Sequence, residues 1–281
     1  MIFSYFELTK SRLMLMVLAT AFLGFWMSSG QDHNLLQFLK MIFGTFLVGG
    51  GANALNQFFE RETDARMKRT RNRPIPSGRL TAQSALLFGG SLTIGGTAFL
   101  WTGVNALTGM IGALAAFSYI FVYTPLKRKT TLNTFVGALP GALPVVMGWT
   151  AAGGKPDPQS LALFWILYFW QLPHFFAIAR IYREDYRQSG LRMMAIGEDD
   201  AKKAAWQIVL FSALLVPVTI TPARIGMTGV MYLATALAAG AAFLTFALYM
   251  AVTKLSAPKK FIPASILYLT LLIAFMIADK Q

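Results

Sequence analysis

Nine stretches of this sequence are apolar over about 17–25 residues, the length a helix needs to cross a bilayer. Their approximate limits are 12–28, 36–59, 82–101, 105–124, 134–152, 159–179, 204–221, 228–252 and 262–278. Inside hydrocarbon a backbone amide must find its partner within its own segment, so such a chain is held to helices. Composition agrees, because 56% of the residues are apolar and only 13% are charged, roughly half the charged fraction of a soluble chain. The expected fold class is an all-α integral membrane protein with about nine transmembrane helices in one bundle, residues 1–281 forming a single domain. Gly and Pro interrupt some stretches, so eight spans are also admitted. Residues 1–10 carry Glu7 and lack the apolar core of a signal peptide, so none is expected there. The chain has no cysteine, which excludes disulfide and thiolate chemistry.

Orientation follows from the loops. Of the 25 Lys and Arg residues, 21 fall in segments 1–11, 60–81, 125–133, 180–203 and 253–261, counting Arg12 at a boundary. By the positive-inside rule the N-terminus is cytoplasmic. The same bias accounts for most of the net charge of +13, so basicity does not call for a nucleic-acid partner. Nine of the twelve acids share that face: Glu7, Glu60, Glu62, Asp64, Glu184, Asp185, Glu198, Asp199 and Asp200. The orientation rule scarcely concerns acids, so chemistry at the cytoplasmic face is one cause to consider.

The densest chemistry lies in residues 49–80, GGGANALNQFFERETDARMKRTRNRPIPSGRL. Asn56, Glu60 and Asp64 are spaced four apart, so on a helix they share one face. Arg66, Lys68, Arg69, Arg71 and Arg73 follow at once. Two carboxylates and an amide suit Mg²⁺, which keeps several waters and completes its shell with phosphate oxygens. The cations would hold the rest of a diphosphate. A structural alternative is a helix end with i,i+4 polar pairs and a positive-inside loop.

Elsewhere the signals are weaker. Gly49, Gly50 and Gly51 let helices approach closely, or leave room for a ligand beside Asn53 and Asn56. His33 lies in a short polar loop and reads as solvated. Tyr123-Thr124-Pro125-Leu126-Lys127-Arg128-Lys129 ends a span in three cations at the same face. The direct repeat over 137–144 puts Pro140 and Pro144 within one span, where freed carbonyls must be enclosed by protein or line a cavity. His174 follows Gln171 and Pro173 in an apolar segment, where it packs or touches a ligand, as a haem-iron ligand or propionate partner. Glu198, Asp199 and Asp200 read as helix capping, and Tyr232, Tyr249 and Tyr268 as interface anchors.

Taken together these motifs resemble the UbiA superfamily of intramembrane prenyltransferases. Asn56, Glu60 and Asp64 match its Asn-x-x-x-Asp-x-x-x-Asp motif, with Glu for the first Asp. The runs Arg69-Thr70-Arg71-Asn72-Arg73-Pro74, Tyr123 to Arg128, Asn133-Thr134 before Gly137-Ala138, Trp170-Gln171-Leu172-Pro173-His174-Phe175 and Asp185-Tyr186 resemble its haem-modifying branch. Tyr182 stands where the second motif would have its first Asp, which sets the chain apart from quinone and hydroxybenzoate prenyltransferases. The resemblance implies farnesyl transfer from farnesyl diphosphate to a vinyl group of heme b, with Mg²⁺ as cofactor, in a bacterial plasma membrane with the active site toward the cytoplasm. It assigns Asn56, Glu60 and Asp64 to the metal, and Asp185 to a second metal site. Arg69, Arg73, Lys127 and Arg128 go to the diphosphate, His174 to heme, and Asn53, Tyr123 and Tyr182 to substrate. Downstream heme-modifying or terminal-oxidase assembly proteins are the implied protein partners. Two rivals stand beside it: a UbiA-type enzyme acting on an aromatic or quinone-precursor acceptor, and a membrane transporter, since Pro-broken helices and intramembrane polar groups also mark transport paths.

Overall fold

The computed structural model describes residues 2–28, 34–194, 200–253 and 258–281. His33, Glu198 and Asp199 lie outside them. Among the described residues nine helices are long and apolar enough to span a membrane, and each coincides with one of the nine apolar stretches. Close packing divides the chain into two compact units.

The first unit comprises Met1–Lys155 and Asp185–Arg192. A short helix α1 (Ile2–Leu8) leads into α2 (Ser11–Ser28) and α3 (Leu35–Phe59); α4 (Arg61–Arg66) follows directly, then α5 (Ala82–Gly103). Helix α6 (Ala106–Phe117) passes through a π-helical turn, Ser118–Tyr123, into α7 (Thr124–Lys129), and α8 (Asn133–Ala151) completes the set. The long helices pack as a closed cycle: α2 on α3, α3 on α5, α5 on α6, α6 on α8 and α8 back on α2. Lipid tails are as apolar as Leu, so helix association here depends on close van der Waals contact rather than on escape from water. Gly24 and Gly148 supply it: a Cβ on either would collide with a backbone carbonyl opposite, that of Val145 or Ala21. Gly51 meets Gly89 and Thr93 of α5 in the same way, so this part of the glycine run serves packing. Asn34, Thr81 and Asn105 cap α3, α5 and α6, each side chain accepting from a first-turn N–H.

Helix α8 runs unbroken through Pro140 and Pro144. It is the most deeply buried of the nine spans, so the backbone that the prolines leave unpaired sits within protein, where it is tolerated.

The second unit comprises Pro156–Glu184 and Met193–Gln281. Helix α9 (Pro158–Ile181) opens on a capping box between Asp157 and Ser160 and continues through Pro173. Helix α10 (Arg183–Ser189) passes at Asp185 into the first unit, and the second resumes with α11 (Asp200–Thr219), α12 (Thr221–Arg224), α13 (Val230–Val252) and α14 (Pro258–Ala278). Here too the long helices close a cycle, α9 on α11, α11 on α13, α13 on α14 and α14 on α9. Tyr232 and Tyr268 are not interface anchors. Both are buried, with Tyr232 donating to the Thr219 carbonyl at 2.7 Å and Tyr268 lying 3.4 Å from Thr219 Oγ1. A phenol enclosed in apolar protein needs such a partner; Tyr249, by contrast, is exposed.

Candidate active site

The first unit gathers its polar side chains where α3 ends. Glu60 breaks the helix (φ −93°, ψ 4°) before α4 begins. The four-residue spacing survives the break, because Glu60 N donates to Asn56 O at 2.9 Å and Asp64 N to Glu60 O at 2.7 Å. Asn56, Glu60 and Asp64 are all buried, and each is held by a cation from a different part of the chain.

Asp64 pairs with Arg73, whose Nη1 lies 2.8 and 2.7 Å from its two carboxylate oxygens. The loop that brings Arg73 back is tied at Asp64 itself, where Thr70 Oγ1 donates to the Asp64 carbonyl at 2.9 Å. Glu60 pairs with Lys127 at 2.8 Å. Burial alone would raise the Glu60 carboxyl, but the Lys127 charge and hydrogen bond leave it below its ordinary value.

Tyr119, Tyr123 and Lys127 are spaced four apart and share a helix face across the π-helical turn, the two rings stacked at 5.8 Å and the Lys127 ammonium 4.5 Å above the Tyr123 ring. Such π-turns are frequent at functional sites. Gly137 of α8 makes room for Tyr123, since a Cβ there would meet the ring. Thr124 Oγ1 donates to the Tyr119 carbonyl at 2.8 Å and accepts from Asn56 Nδ2 at 3.1 Å. With its nitrogen so engaged, Asn56 turns its oxygen the other way.

That oxygen meets Lys10, a residue that sequence reasoning passed over. Lys10 Nζ donates to Asn56 Oδ1 at 3.0 Å and lies 3.5 Å from the Tyr119 hydroxyl. Desolvation, with repulsion from Arg73 and Lys127, brings the ammonium down to about 7, against the pull of Glu60 and Asp64. Tyr119 was also missed; the only advance signal was its four-residue spacing from Tyr123. Asn53 is engaged structurally, its Nδ2 donating to Thr9 O at 3.2 Å and its Oδ1 accepting from Tyr119 at 3.4 Å.

The remaining residues named from sequence are distributed as follows. Asp185 accepts from the backbone N–H groups of Lys68 and Arg69 at 3.4 and 3.3 Å, so it anchors the basic loop. Arg69 is exposed beside it. Arg128, one position past Lys127, lines a cleft of about 230 Å³ with Glu62, Thr63, Arg66, Ser189 and Gly190. Tyr182 and His174 belong to the second unit. There His174 stacks on Trp170 with ring centroids 5.2 Å apart, and its Nδ1 lies 2.6 Å from Ser265 Oγ. Ser265 Oγ also lies 2.7 Å from the Ile262 carbonyl; with its proton donated there, His174 Nδ1 is the donor and Nε2 keeps its lone pair.

Among the described residues no three His, Asp or Glu side chains form a metal cluster. The oxygens of Asn56, Glu60 and Asp64 are nonetheless each turned toward positive charge at 2.7–3.0 Å, as an amide and two carboxylates presented to a divalent ion would be.

Buried acids paired with cations at the end of α3, among apolar spanning helices, make a site suited to a divalent ion and a diphosphate. Residues 17–276 match the model of the UbiA prenyltransferase family, and the chain belongs to that family. It is 43% identical to the protoheme IX farnesyltransferase of Solibacter usitatus, over 98% of both chains. With the protoheme IX farnesyltransferase of Koribacter versatilis it shares 37%, over 98% of this chain and 93% of the other. Among solved structures the fold is similar to a digeranylgeranylglyceryl phosphate synthase, with a TM-score of 0.82 and 18% identity over 99% and 98% of the two chains. A UbiA homologue from Archaeoglobus fulgidus bound to GPP and Mg²⁺ superposes with a TM-score of 0.73 at 16% identity over 98% of each chain. The transporter alternative therefore falls.

Proposed function

We propose that this chain transfers the farnesyl group of farnesyl diphosphate to a vinyl group of heme b. The C–O bond to diphosphate breaks, a C–C bond forms from farnesyl C1 to the terminal vinyl carbon, and water adds at the inner carbon with loss of a proton. The product carries a hydroxyethylfarnesyl side chain. Near full-length similarity to proteins named for this reaction supports the substrate pair. The observation that carries the chemistry is the pairing of Glu60 with Lys127 and Asp64 with Arg73 around Asn56.

Asn56, Glu60 and Asp64 would hold Mg²⁺, and Asp185 is the carboxylate that would serve a second ion. When bound, Mg²⁺ acts as a Lewis acid for the leaving diphosphate. Arg73 and Lys127 neutralise charge that builds on the diphosphate oxygens as the C–O bond breaks, with Arg69 and Arg128 drawing the anion in from the cytoplasm. The allylic cation left behind needs a water-poor, apolar or aromatic-lined pocket. His174 serves heme, its Nε2 lone pair being of the kind that ligates iron. Residues 1–281 act as one catalytic domain in a bacterial inner membrane, with the N-terminus and this face cytoplasmic. The product passes to heme-modifying or oxidase-assembly proteins.

Purified protein in detergent, given farnesyl diphosphate, Mg²⁺ and either heme b or 4-hydroxybenzoate, tests the proposal. Farnesylated heme is the expected product; product from the benzoate alone overturns the acceptor.

A further inference from the structure

Lys10 has three properties that ordinary packing does not require. Its backbone lies at φ 52°, and among the described residues it is the only non-glycine with positive φ. A left-handed conformation is uncommon for a residue with a Cβ. Here it ends α1, with Lys10 N donating to Glu7 O at 3.1 Å, and α3 holds the turn through Gln57 Nε2, which donates to Leu8 O at 2.9 Å, and Asn53 Nδ2, which donates to Thr9 O. The turn between α1 and α2 is thereby pinned, and the Lys10 side chain is directed to Asn56 and Tyr119.

The charges there do not balance. Glu60 has Lys127 and Asp64 has Arg73, whereas Lys10 rests on a neutral amide and a phenol and has no carboxylate partner among the described residues. The two carboxylates thus have one basic partner each, and the Lys10 amine is a third basic group beside them with none. An ammonium drawn out of bulk water onto neutral acceptors is short of an anion. Moreover, the Asn56 oxygen that it occupies is one assigned above to the metal, and that oxygen cannot serve both cations equally.

We propose that Lys10 is a diphosphate-binding residue that holds Asn56 in the metal-free protein and moves to the diphosphate when Asn56 is given over to the metal. The inference rests on the metal and diphosphate assignment of the preceding subsection. The same cation first keeps the amide oriented and then adds a charge-assisted hydrogen bond to the incoming anion. Because α3 holds its backbone, only the side chain needs to swing.

The test is binding of inorganic pyrophosphate to the full-length protein in detergent by calorimetry, without divalent metal and then with Mg²⁺. A second titration uses Mn²⁺ alone, followed by its electron paramagnetic resonance. Removing one charged hydrogen bond should weaken metal-free pyrophosphate binding by about 10- to 100-fold in Lys10→Met. Lys10→Arg should retain most of the affinity, and Mn²⁺ alone should bind Lys10→Met more tightly than wild type. Lys10→Gln, which keeps a donor to Asn56 without the charge, provides the same comparison should Lys10→Met not fold. Unchanged pyrophosphate affinity in the uncharged variants, with Asp64→Asn still impaired in Mn²⁺ binding, overturns the role of Lys10 and leaves the active site standing. Absence of both pyrophosphate and Mn²⁺ binding in wild type overturns the site assignment itself, and Lys10 with it.

Discussion

Arg73 and Asp64 form an ion pair at 2.7 Å in which the carboxylate is completely withdrawn from solvent and the guanidinium is 22% exposed. The chain closes on this contact across nine positions of sequence. The pair therefore joins the fold of the loop to the charge balance of the site. Truncating one partner of such a pair strands the other without compensation, at a cost of about 3–5 kcal/mol. Arg73→Ala should lower thermal stability in detergent by more than Lys127→Ala, because Glu60 keeps slight contact with solvent while Asp64 has none. Unfolding curves of the two variants, compared with wild type, check the order.

Asp64→Asn keeps the shape of the side chain and removes its charge. Turnover with farnesyl diphosphate and heme b should fall by about 100-fold or more, the usual scale for losing one element of charge stabilisation in a transition state. The variant should still insert and purify as a folded protein, since Asn keeps an oxygen that accepts from Arg73 and the Arg73 side chain retains some contact with solvent. Turnover near wild type would remove the metal role.

Acid pH should weaken the fold through Glu60. Its carboxyl sits below its ordinary value of 4.5 because Lys127 more than offsets burial. A depressed folded-state value means that the stabilisation is present above the unfolded-state value and is lost as pH falls through the folded one. The melting temperature of wild type should therefore drop below about pH 4.5 more steeply than that of Glu60→Gln. Parallel melting curves of the two proteins across that range would contradict it.

Heme recognition should separate cleanly from diphosphate recognition. His174→Ala should shift the absorption band of bound heme and raise the KM for heme several-fold, leaving pyrophosphate affinity unchanged. Ser265→Ala should give a smaller shift in the same direction, since it frees the ring without removing Nε2. An unaltered heme spectrum in His174→Ala would take the histidine out of the site.

The residues legible in advance were those whose meaning is carried by neighbours. Asn56, Glu60 and Asp64 announced themselves through a helical repeat, and the helix break at Glu60 did not disturb them because the i,i+4 hydrogen bonds continue across it. Lys10 had no such advertisement. It reaches Asn56 across 46 residues through a left-handed backbone that no lysine signals. Asp185 meets the amides of Lys68 and Arg69 from well over 100 residues away. The reading of Tyr232 and Tyr268 as interface anchors failed for a related reason: an amphipathic ring suits a membrane interface and a buried hydrogen bond equally, and only the position of Thr219 distinguishes them.

By itself the sequence determined nine apolar spans, a charge bias among the loops, and an amide with two carboxylates at helical spacing. Each of these follows from hydrocarbon thickness or helix pitch, and so is set within about 25 residues of chain. Tertiary structure decided which cation answers each acid, and that Lys10 and Tyr119 enter the site at all. Those choices depend on which distant segments glycine lets come close and on which buried polar atoms are left to find one another. No local spacing encodes that.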